Sequence, residues 1–265
     1  QMRAIARELA VSETAFLLPS ETADRRLRYF SPEQEVDLCG HATIAAHAHL
    51  REAGAIDEGE HTIETNVGVL DVAVESDGSI WMTQEMPRVE RVEVDYERLG
   101  NALGIDPAAL RDVGADAPVA VASTGLPFLI VPVNFLQNLG SADPNDGAVE
   151  AIADEHDVAG IYAFTFDALG ADSTLHARAF APSVGIAEDP ATGTASGACG
   201  AYLREVGAFE DFPEEMVFEQ GHFVDRPSEV RVRVSGDVRV GGRAVTSLDG
   251  RLAVPPAEED DIVEA

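Results

Sequence analysis

The chain has 265 residues, of which 45% are hydrophobic, and this is enough for about two domains with packed cores. Its 48 acidic and 18 basic residues give a net charge of −30, which excludes nucleic acids and anionic membranes as expected partners. Two cysteines cannot form a disulfide framework or a four-ligand zinc set, and the seven histidines include no HExxH motif, so the sequence predicts no metal.

The charged residues also indicate a habitat. All the basic residues are arginine, and the carboxylates are spread along the whole chain. Such a surface suits a salt-rich cytoplasm, because molar salt shortens the electrostatic screening length to about 3 Å. The alternative is an acidic interaction patch, which would concentrate the carboxylates in one segment. No leader peptide and no membrane-spanning apolar run is evident. We therefore expect a halophilic, cytoplasmic protein.

Hydrophobic periodicity and turn residues predict alternating helices and strands. In chain order they are a helix at Met2–Leu9, a strand at 26–30, a helix between Gly40 and Gly54, strands at 61–65 and 69–74, a helix at 95–103, strands at 119–122 and 127–131, a helix at 147–156, a strand at 175–180, a helix between Gly193 and Gly207, and strands at 216–219 and 229–234. The polar stretch 104–118 is the predicted boundary. It gives an N-terminal half at 1–110, a C-terminal half at 111–254 and a solvated acidic tail at 255–265.

An internal repeat relates the two halves. Residues 40–55 align with residues 193–208 at a constant offset of 153, and 28–32 resembles 178–182 upstream. Identical pairs include Gly40/Gly193, Ala45/Ala198, Ala48/Ala201, Leu50/Leu203, Arg51/Arg204, Glu52/Glu205, Gly54/Gly207 and Ala55/Ala208. The repeated helix is small and apolar nearly all round, which is typical of a buried helix. The chain is therefore predicted to be a duplication with an α+β fold, in which each of two strand-rich barrels surrounds a central helix.

The starts of the two repeated helices are candidate binding sites. Free N–H groups and the helix dipole suit them to a substrate carboxylate, although Gly40 and Gly193 could equally serve only to make a tight turn. His41 follows Gly40 directly, and Asp189 precedes the second helix. Taken singly, His41 could be a hydrogen-bonded core histidine and Asp189 a turn residue before Pro190.

Several motifs together resemble one family. In order along the chain they are Ser-Glu-Thr-Ala-Phe at 12–16, Cys-Gly-His-Ala-Thr at 39–43, Ser-Thr-Gly-Leu-Pro-Phe at 123–128, Glu-Asp-Pro-Ala-Thr-Gly-Thr-Ala at 188–195, Glu-Gln-Gly at 219–221 and Arg-Pro-Ser at 226–228. The set is similar to the signatures of the PhzF-like (phenazine biosynthesis-like) proteins. The resemblance implies the diaminopimelate-epimerase type of fold, an active site between the halves, and a homodimer. It also implies metal-free and cofactor-free proton transfer on a small carboxylate- or amine-bearing substrate.

The resemblance also implies roles for particular residues. Glu13 would be the acid/base, and His41, Asp189 and Thr194 would assist it, with threonine standing where the family commonly has serine. The substrate would bind at the helix starts, at Gly40, Ala42, Thr192 and Gly193. Alternatives are an amino-acid epimerase or dehydratase of the same fold, or a small-molecule-binding homologue without turnover.

Two departures from related proteins bear on these expectations. Epimerases of this fold use one cysteine in each half, but Thr192 stands where the second would be and Cys199 lies within the helix. A threonine hydroxyl is too weakly acidic to replace a thiolate, so two-thiol racemisation is not expected and Cys39 is predicted to be a small buried residue. Family members also usually begin with a strand and a Gly-Asn-Pro loop, which the first half is expected to lack.

Overall fold

The computed structural model describes residues 1–113 and 116–253. The helices within this part of the chain are α1 (Met2–Leu9), α2 (Gly40–Glu52), α3 (Tyr96–Leu103), α4 (Pro107–Arg111), α5 (Leu136–Gly140), α6 (Asp146–Glu155) and α7 (Gly193–Glu205). The strands are β1 (Thr14–Leu18), β2 (Arg25–Phe30), β3 (Glu35–Val36), β4 (Gly59–Thr65), β5 (Gly68–Val74), β6 (Ile80–Thr83), β7 (Arg88–Arg91), β8 (Ala120–Ser123), β9 (Pro127–Pro132), β10 (Ile161–Thr165), β11 (Leu175–Ala181), β12 (Ile186–Asp189), β13 (Met216–Gln220), β14 (Ser228–Val234) and β15 (Val238–Gly242). No helix in the described residues has both the length and the apolar character of a membrane span.

The chain divides into two compact units. Unit 1 contains Gln1–Gly78 together with the described residues from Arg243 to 253, and unit 2 contains Ser79–Gly242. The units therefore differ from the predicted halves, whose boundary at residue 110 falls inside unit 2. The physical reason is strand pairing, because β6 pairs with β15 and β7 pairs with β8, so strands that precede residue 110 join the later sheet. The predicted tail at 255–265 lies outside the described residues.

Unit 2 is built on one mixed sheet. Its strand order is β6-β15-β14-β13-β11-β10-β9-β8-β7, and β12 pairs with β11. The β9–β10 and β11–β13 pairs are parallel, and the others are antiparallel. Every residue of β10 and β11 is buried, because one core surrounds α7 and a second lies among α3, α4 and α6. Strands covered on both faces are typical of such a position.

The sheet of unit 2 curls around α7. This helix contacts β14 and β15, which lie near one end of the sheet, and also β7, β8 and β9, which form the other end. Its residues from Ala195 to Leu203 are all buried. A Cβ on Gly200 would lie 2.6 Å from a methyl of Val232, and one on Gly197 would lie 2.9 Å from a methyl of Val240. The small residues of α7 are therefore required for the strands to approach it.

Unit 1 has a smaller sheet in the order β1-β2-β4-β5, with β3 on β2. Helix α2 packs against β1 and buries one side only, including Thr43, His47 and Ala48. His41 and His49 are exposed, so the expectation of a helix buried all round holds for α7 and is wrong for α2. The reason is that the polar side chains of α2 require solvent on one side, whereas α7 consists of small residues through most of its length.

The two central helices end in the same way. Gly54 and Gly207 follow them with φ of 66° and 68°, a conformation that favours glycine. The next amide then reaches back to the helix, from Ala55 to the Leu50 carbonyl at 2.8 Å and from Ala208 to the equivalent leucine carbonyl at 3.0 Å. Both helices also have 13 residues. The length and the C-terminal ends of the two central helices therefore confirm the repeat predicted from the sequence.

Most predicted elements agree with the structure to within about two residues, and α1 agrees at both ends. Two helices of the described residues, α4 and α5, were not predicted. Helix α4 lies in the stretch 104–118 that was interpreted as a boundary, where the Asp106 carboxylate accepts a hydrogen bond from the Ala108 amide at 2.9 Å and Pro107 occupies the first turn. An Asp-Pro pair is a helix-start signal as well as a turn signal, which explains the error.

Candidate active site

The start of α2 is fixed by a chain of hydrogen bonds from β2. The Thr43 hydroxyl donates to the Cys39 carbonyl at 2.8 Å, and its amide donates to the same oxygen at 3.0 Å. The Thr43 hydroxyl is 2.6 Å from the hydroxyl of Tyr29, which is fully buried on β2. Because the threonine proton is already used, the tyrosine is the donor of this bond. The position of Cys39, immediately before the helix, is thus set by the core of unit 1.

Glu13 and His41 meet at this helix start. Glu13 lies just before β1, and its Oε2 is 2.9 Å from Nε2 of His41 in the first turn of α2. The Glu13 side chain is 15% exposed and that of His41 is 44% exposed, so the carboxylate is held inside while the ring faces solvent. The structure therefore brings together two of the residues that the sequence analysis selected as catalytic.

Cys39 completes this cluster. Its Sγ lies 3.7 Å from Nδ1 and 3.6 Å from Nε2 of His41, and the residue is buried. Hydrogen bonds to the Cys39 and Glu13 side chains raise the pKa of His41 to about 10, against the opposing effect of burial. Cys39 is buried, as predicted from the sequence, but its contact with His41 is an additional feature that the sequence does not predict.

In unit 2 the corresponding residues lie in the loop between β12 and α7. The Asp189 carboxylate accepts hydrogen bonds from the Thr192 hydroxyl at 2.6 Å and from the Ala191 amide at 3.4 Å. Thr192 immediately precedes α7, and Gly193 is its first residue. The half-buried Thr194 follows, and its carbonyl accepts a hydrogen bond from the Thr124 hydroxyl at 3.0 Å. The four residues predicted for this half are therefore neighbours in one loop and helix start.

Gln220 holds this loop and was missed by the sequence analysis. Its side-chain oxygen accepts from the Thr192 amide at 3.1 Å, and its side-chain nitrogen donates to the Asp189 carbonyl at 2.6 Å and to the Thr192 hydroxyl at 3.0 Å. Gln220 is fully buried at the end of β13. Its place in the motif 219–221 was the available signal, but the distance of about thirty residues along the chain hid the contact.

Arg178 holds the same loop from the other side. Its guanidinium forms two hydrogen bonds with the Glu188 carboxylate, at 2.9 and 2.7 Å, and donates to the carbonyls of Leu139 and Ala142 at 3.1 and 2.9 Å. The two charged side chains are 6% and 10% exposed. Because Glu188 directly precedes Asp189, this buried ion pair fixes the approach of the chain to the predicted catalytic residue.

The glycines at the two helix starts have open space beside them. A Cβ on Gly40 would meet no atom within 4 Å, and one on Gly193 would make an ordinary contact of 3.4 Å with Val240. Neither α2 nor α7 has a side-chain hydrogen bond capping its N-terminus. Ala42 is buried beneath the first turn of α2. The first amides of each helix could therefore hold an anion without any change to the backbone.

The second cysteine is remote from this chemistry. Cys199 is fully buried within α7, and burial raises its pKa well above the ordinary value for a thiol. The residue before Gly193, which corresponds to Cys39 in the repeat, is Thr192. The described residues thus offer no second accessible thiol that could work opposite Cys39.

Comparison with solved structures identifies the class of fold. The crystal structure of a PhzF-family phenazine biosynthesis protein from Bacillus anthracis covers 91% of this chain and 85% of that chain with a TM-score of 0.81 and 32% identity. The structure of a predicted epimerase, PA4716 of Pseudomonas aeruginosa, covers 91% of this chain and 84% of that chain with a TM-score of 0.72 and 31% identity. The diaminopimelate-epimerase-like fold predicted from the sequence is confirmed.

The family follows from the sequence comparisons. The model of the phenazine biosynthesis-like proteins, PhzC-PhzF, matches residues 1–250. A relative described as the uncharacterized isomerase YfhB, from Bacillus subtilis (strain 168), is 35% identical over 255 residues, which cover 94% of this chain and 84% of that protein. This chain belongs to the PhzF family, as its ordered motifs predicted.

Proposed function

We propose that the protein is an isomerase that moves a proton on a small carboxylate- or amine-bearing substrate without a cofactor. The observation that carries this proposal is the contact of 2.9 Å between Glu13 and His41 at the start of α2. A mostly buried carboxylate beside a solvent-facing imidazole is a suitable pair for general acid–base work. The isomerase names of its relatives are in accord with this reaction class.

Glu13 is the group that carries the proton in this mechanism. It removes a proton from substrate carbon, which leaves negative charge on the substrate, and returns the proton to a different carbon or to the other face. His41 acts as a hydrogen-bond donor toward Glu13 through Nε2 and holds the carboxylate in one orientation. Such a fixed donor also stabilises the negative charge that develops on the substrate in the transition state. Electrostatic stabilisation of this kind is usually the largest contribution to the rate.

The helix starts supply the binding site for the substrate carboxylate. The first amides of α2, at Gly40 and Ala42, have no side-chain cap, and the space beside Gly40 is open. Those at Gly193 and Thr194 at the start of α7 can play the same part in unit 2. Each helix end adds a favourable dipole, worth about 0.3–1 kcal/mol for an exposed anion.

Asp189 serves as an orienting group in this proposal. Its carboxylate already accepts hydrogen bonds from the Thr192 hydroxyl and the Ala191 amide, so it holds the loop before α7 in shape. The Thr194 hydroxyl binds the substrate in this proposal, while its carbonyl accepts a hydrogen bond from the Thr124 hydroxyl. The two residues thus assist binding while Glu13 performs the proton transfer.

Deuterium incorporation from solvent tests the proposal directly. The protein is incubated in D₂O and molar KCl with a panel of small amino and hydroxy acids, and mass spectrometry and NMR locate any new deuterium. The comparison is between the wild type, Glu13→Gln and the control Glu33→Gln, which changes an exposed glutamate of unit 1. Exchange in the wild type and the control that falls at least 100-fold in Glu13→Gln supports the assignment, since general acid–base groups contribute about 10²–10⁴-fold.

The same assay separates the alternatives. Deuterium at the original carbon with loss of enantiomeric purity indicates an epimerase, and deuterium at a new carbon indicates a shift of a double bond. Loss of the elements of water indicates a dehydratase. Binding of a panel compound without exchange in any variant would overturn the enzymatic proposal and favour the binding homologue.

A further inference from the structure

The cluster at the start of α2 has a second chemical capability. Glu13, Cys39 and His41 each offer one ligand atom for a metal ion, and these atoms all lie within 4.8 Å of one another. In the described residues this is the single group of three such side chains that meets that distance. The proton-transfer proposal uses Glu13 and His41 but assigns nothing to Cys39, although a buried thiol lies against the imidazole ring.

The spacing of the three ligand atoms resembles that of a zinc site. Tetrahedral zinc with bonds of about 2.0–2.3 Å holds its ligand atoms about 3.4–3.6 Å apart. The Cys39 Sγ is 3.6 Å from His41 Nε2 and 3.7 Å from Nδ1, so the distance to Nε2 matches but the sulfur lies between the two ring nitrogens rather than toward the Nε2 lone pair. The Glu13 Oε2, at 2.9 Å from Nε2, would have to withdraw by about 0.5 Å. Binding therefore requires rotation of the Glu13 carboxylate and also rotation of the Cys39 side chain or of the imidazole ring, and none of these moves the backbone.

The kinds of ligand select the metal. A thiolate and an imidazole favour Zn²⁺, Co²⁺ or Cu²⁺, whereas Mg²⁺ and Ca²⁺ require several oxygen ligands. Three protein ligands with a solvent-facing ring leave the fourth position open for water, as in catalytic rather than structural zinc sites. Local spacings in the sequence do not reveal this group, because the three residues come from two separate segments of unit 1.

We propose that Glu13, Cys39 and His41 bind a thiophilic divalent cation, with Zn²⁺ as the physiological candidate, and that the bound ion blocks proton transfer. The ion replaces the thiol proton of Cys39 and the proton between His41 and Glu13, and both protons pass to solvent. Glu13 then serves as a metal ligand and cannot remove a proton from carbon. The blocking step rests on the proposed function, whereas binding of the ion does not.

Cobalt binding tests the site without any substrate. Co²⁺ is added to the protein at pH 8 in molar KCl with excess Mg²⁺, which occupies the many surface carboxylates. Coordination by a thiolate gives a near-ultraviolet charge-transfer band, and tetrahedral geometry gives strong visible bands. We expect both bands to saturate at one equivalent, to vanish in Cys39→Ser, and to require at least 10-fold more Co²⁺ in His41→Gln and in Glu13→Gln.

Matched controls distinguish this site from other ligands. Cys199→Ala removes the other thiol, and His49→Gln removes an exposed histidine further along α2, so both should keep the bands. Far-ultraviolet circular dichroism checks that each variant is folded. Absence of a charge-transfer band in the folded wild type, or a band that is unchanged in both His41→Gln and Glu13→Gln, would overturn the site.

The effect on turnover is measured separately. With any substrate that shows solvent exchange, one equivalent of Zn²⁺ should lower the exchange rate at least 10-fold, and a chelator should restore it. A saturable Co²⁺ site with exchange that Zn²⁺ does not inhibit would overturn the blocking step alone. A saturable Co²⁺ site in a protein without any exchange would leave the metal site standing and count against the proposed function.

Discussion

The buried ion pair between Arg178 and Glu188 allows a direct test of what stabilises the loop before α7. The Arg178 guanidinium contacts both oxygens of Glu188 and the carbonyls of Leu139 and Ala142, and the two charged side chains are only 6% and 10% exposed. The change Arg178→Met keeps a long apolar side chain but leaves the Glu188 carboxylate buried without its partner. It also removes the donor to two buried carbonyls.

The expected cost follows from these contacts. Removing one partner of a buried ion pair costs about 3–5 kcal/mol, because the remaining charge is left uncompensated. With a urea m-value of about 2 kcal/mol per M, this corresponds to a decrease of about 1.5–2.5 M in the unfolding midpoint. The double change Arg178→Met with Glu188→Leu should cost less than Arg178→Met alone, because no unpaired charge then remains.

Trp81 provides the assay. It is the single tryptophan of the chain, lies in unit 2 and is 1% exposed, so its fluorescence reports the unfolding of the unit that contains Arg178. Urea leaves the ionic strength unchanged, and molar KCl maintains the screening that the acidic surface requires. The matched control is Arg98→Ala, which breaks an exposed ion pair with Glu155 whose side chains are 47% and 54% exposed. An exposed pair contributes about 0–1 kcal/mol, so the midpoint should fall by less than about 0.5 M.

The comparison between variants decides whether the reasoning is correct. If Arg178→Met and Arg98→Ala lower the midpoint equally, burial does not determine how much an ion pair contributes to the stability of this protein. The same is true if the double variant is less stable than Arg178→Met. In the expected case, Arg178→Lys should recover only part of the loss, because an ammonium cannot span both carboxylate oxygens and both carbonyls.

Three further predictions concern other parts of the molecule. Gly40→Ala should leave the thermal midpoint within about 2 °C of the wild type, because the added Cβ meets no atom within 4 Å. If the start of α2 binds the substrate, the same change should lower the rate of solvent exchange at least 10-fold. An unchanged exchange rate would contradict that role. Gln220→Leu removes three hydrogen bonds to the loop before α7 and should lower the free energy of unfolding in urea by about 1–3 kcal/mol. It should also raise the KM for solvent exchange. An unchanged KM would show that the shape of this loop does not affect substrate binding. Acid should destabilise unit 2 in two steps. Burial lowers the pKa of His176. Burial alone would raise the pKa of Glu219, but hydrogen bonds from two amides and from His176 lower it. In both cases the unfolded chain takes up its proton first, so stability is lost as pH falls below 6.5 for the histidine and again below 4.5 for the glutamate. Glu219→Gln should abolish the lower step in urea midpoints measured by fluorescence, and a flat profile between pH 7 and 4 would contradict the assignment.

The fold could be predicted from the sequence where local chemistry determines it. Gly54 and Gly207 close two helices of equal length because both adopt a left-handed conformation that other residues adopt at a cost. The pairing of β6 with β15 and of β7 with β8 could not be predicted, because strand partners are chosen by tertiary packing rather than by local preference. That pairing is the reason that the compact units differ from the predicted halves.

The candidate site, like the fold, could be predicted from the sequence only in part. Glu13, His41 and Asp189 lie in motifs that could be recognised along the chain, and the structure places them at the helix starts. The residues that hold the site, Gln220 and Arg178, act through contacts with segments far from them in sequence. Such contacts depend on which strands become neighbours, and no local pattern records them.

The duplication explains why the two helix starts can differ in chemistry without loss of the fold. In each unit a buried tyrosine hydroxyl meets a hydroxyl in the first turn of the central helix: Tyr29 with Thr43 at 2.6 Å, and Tyr162 with Ser196 at 3.0 Å. Thr43 and Ser196 are equivalent in the repeat, whereas the two tyrosines lie on different strands, β2 and β10. These shared contacts hold the helices, so their loss should lower stability. The positions before and after the first glycine have diverged, because Cys39 and His41 differ from Thr192 and Thr194, although the Thr192 hydroxyl has contacts of its own with Asp189 and Gln220. Because the structural role is carried by other residues, one helix start could keep a thiol and an imidazole beside Glu13 while the other became a pair of hydroxyls. Substitutions at Cys39, His41 and Thr194 should therefore change proton transfer or metal binding more than they change the free energy of unfolding.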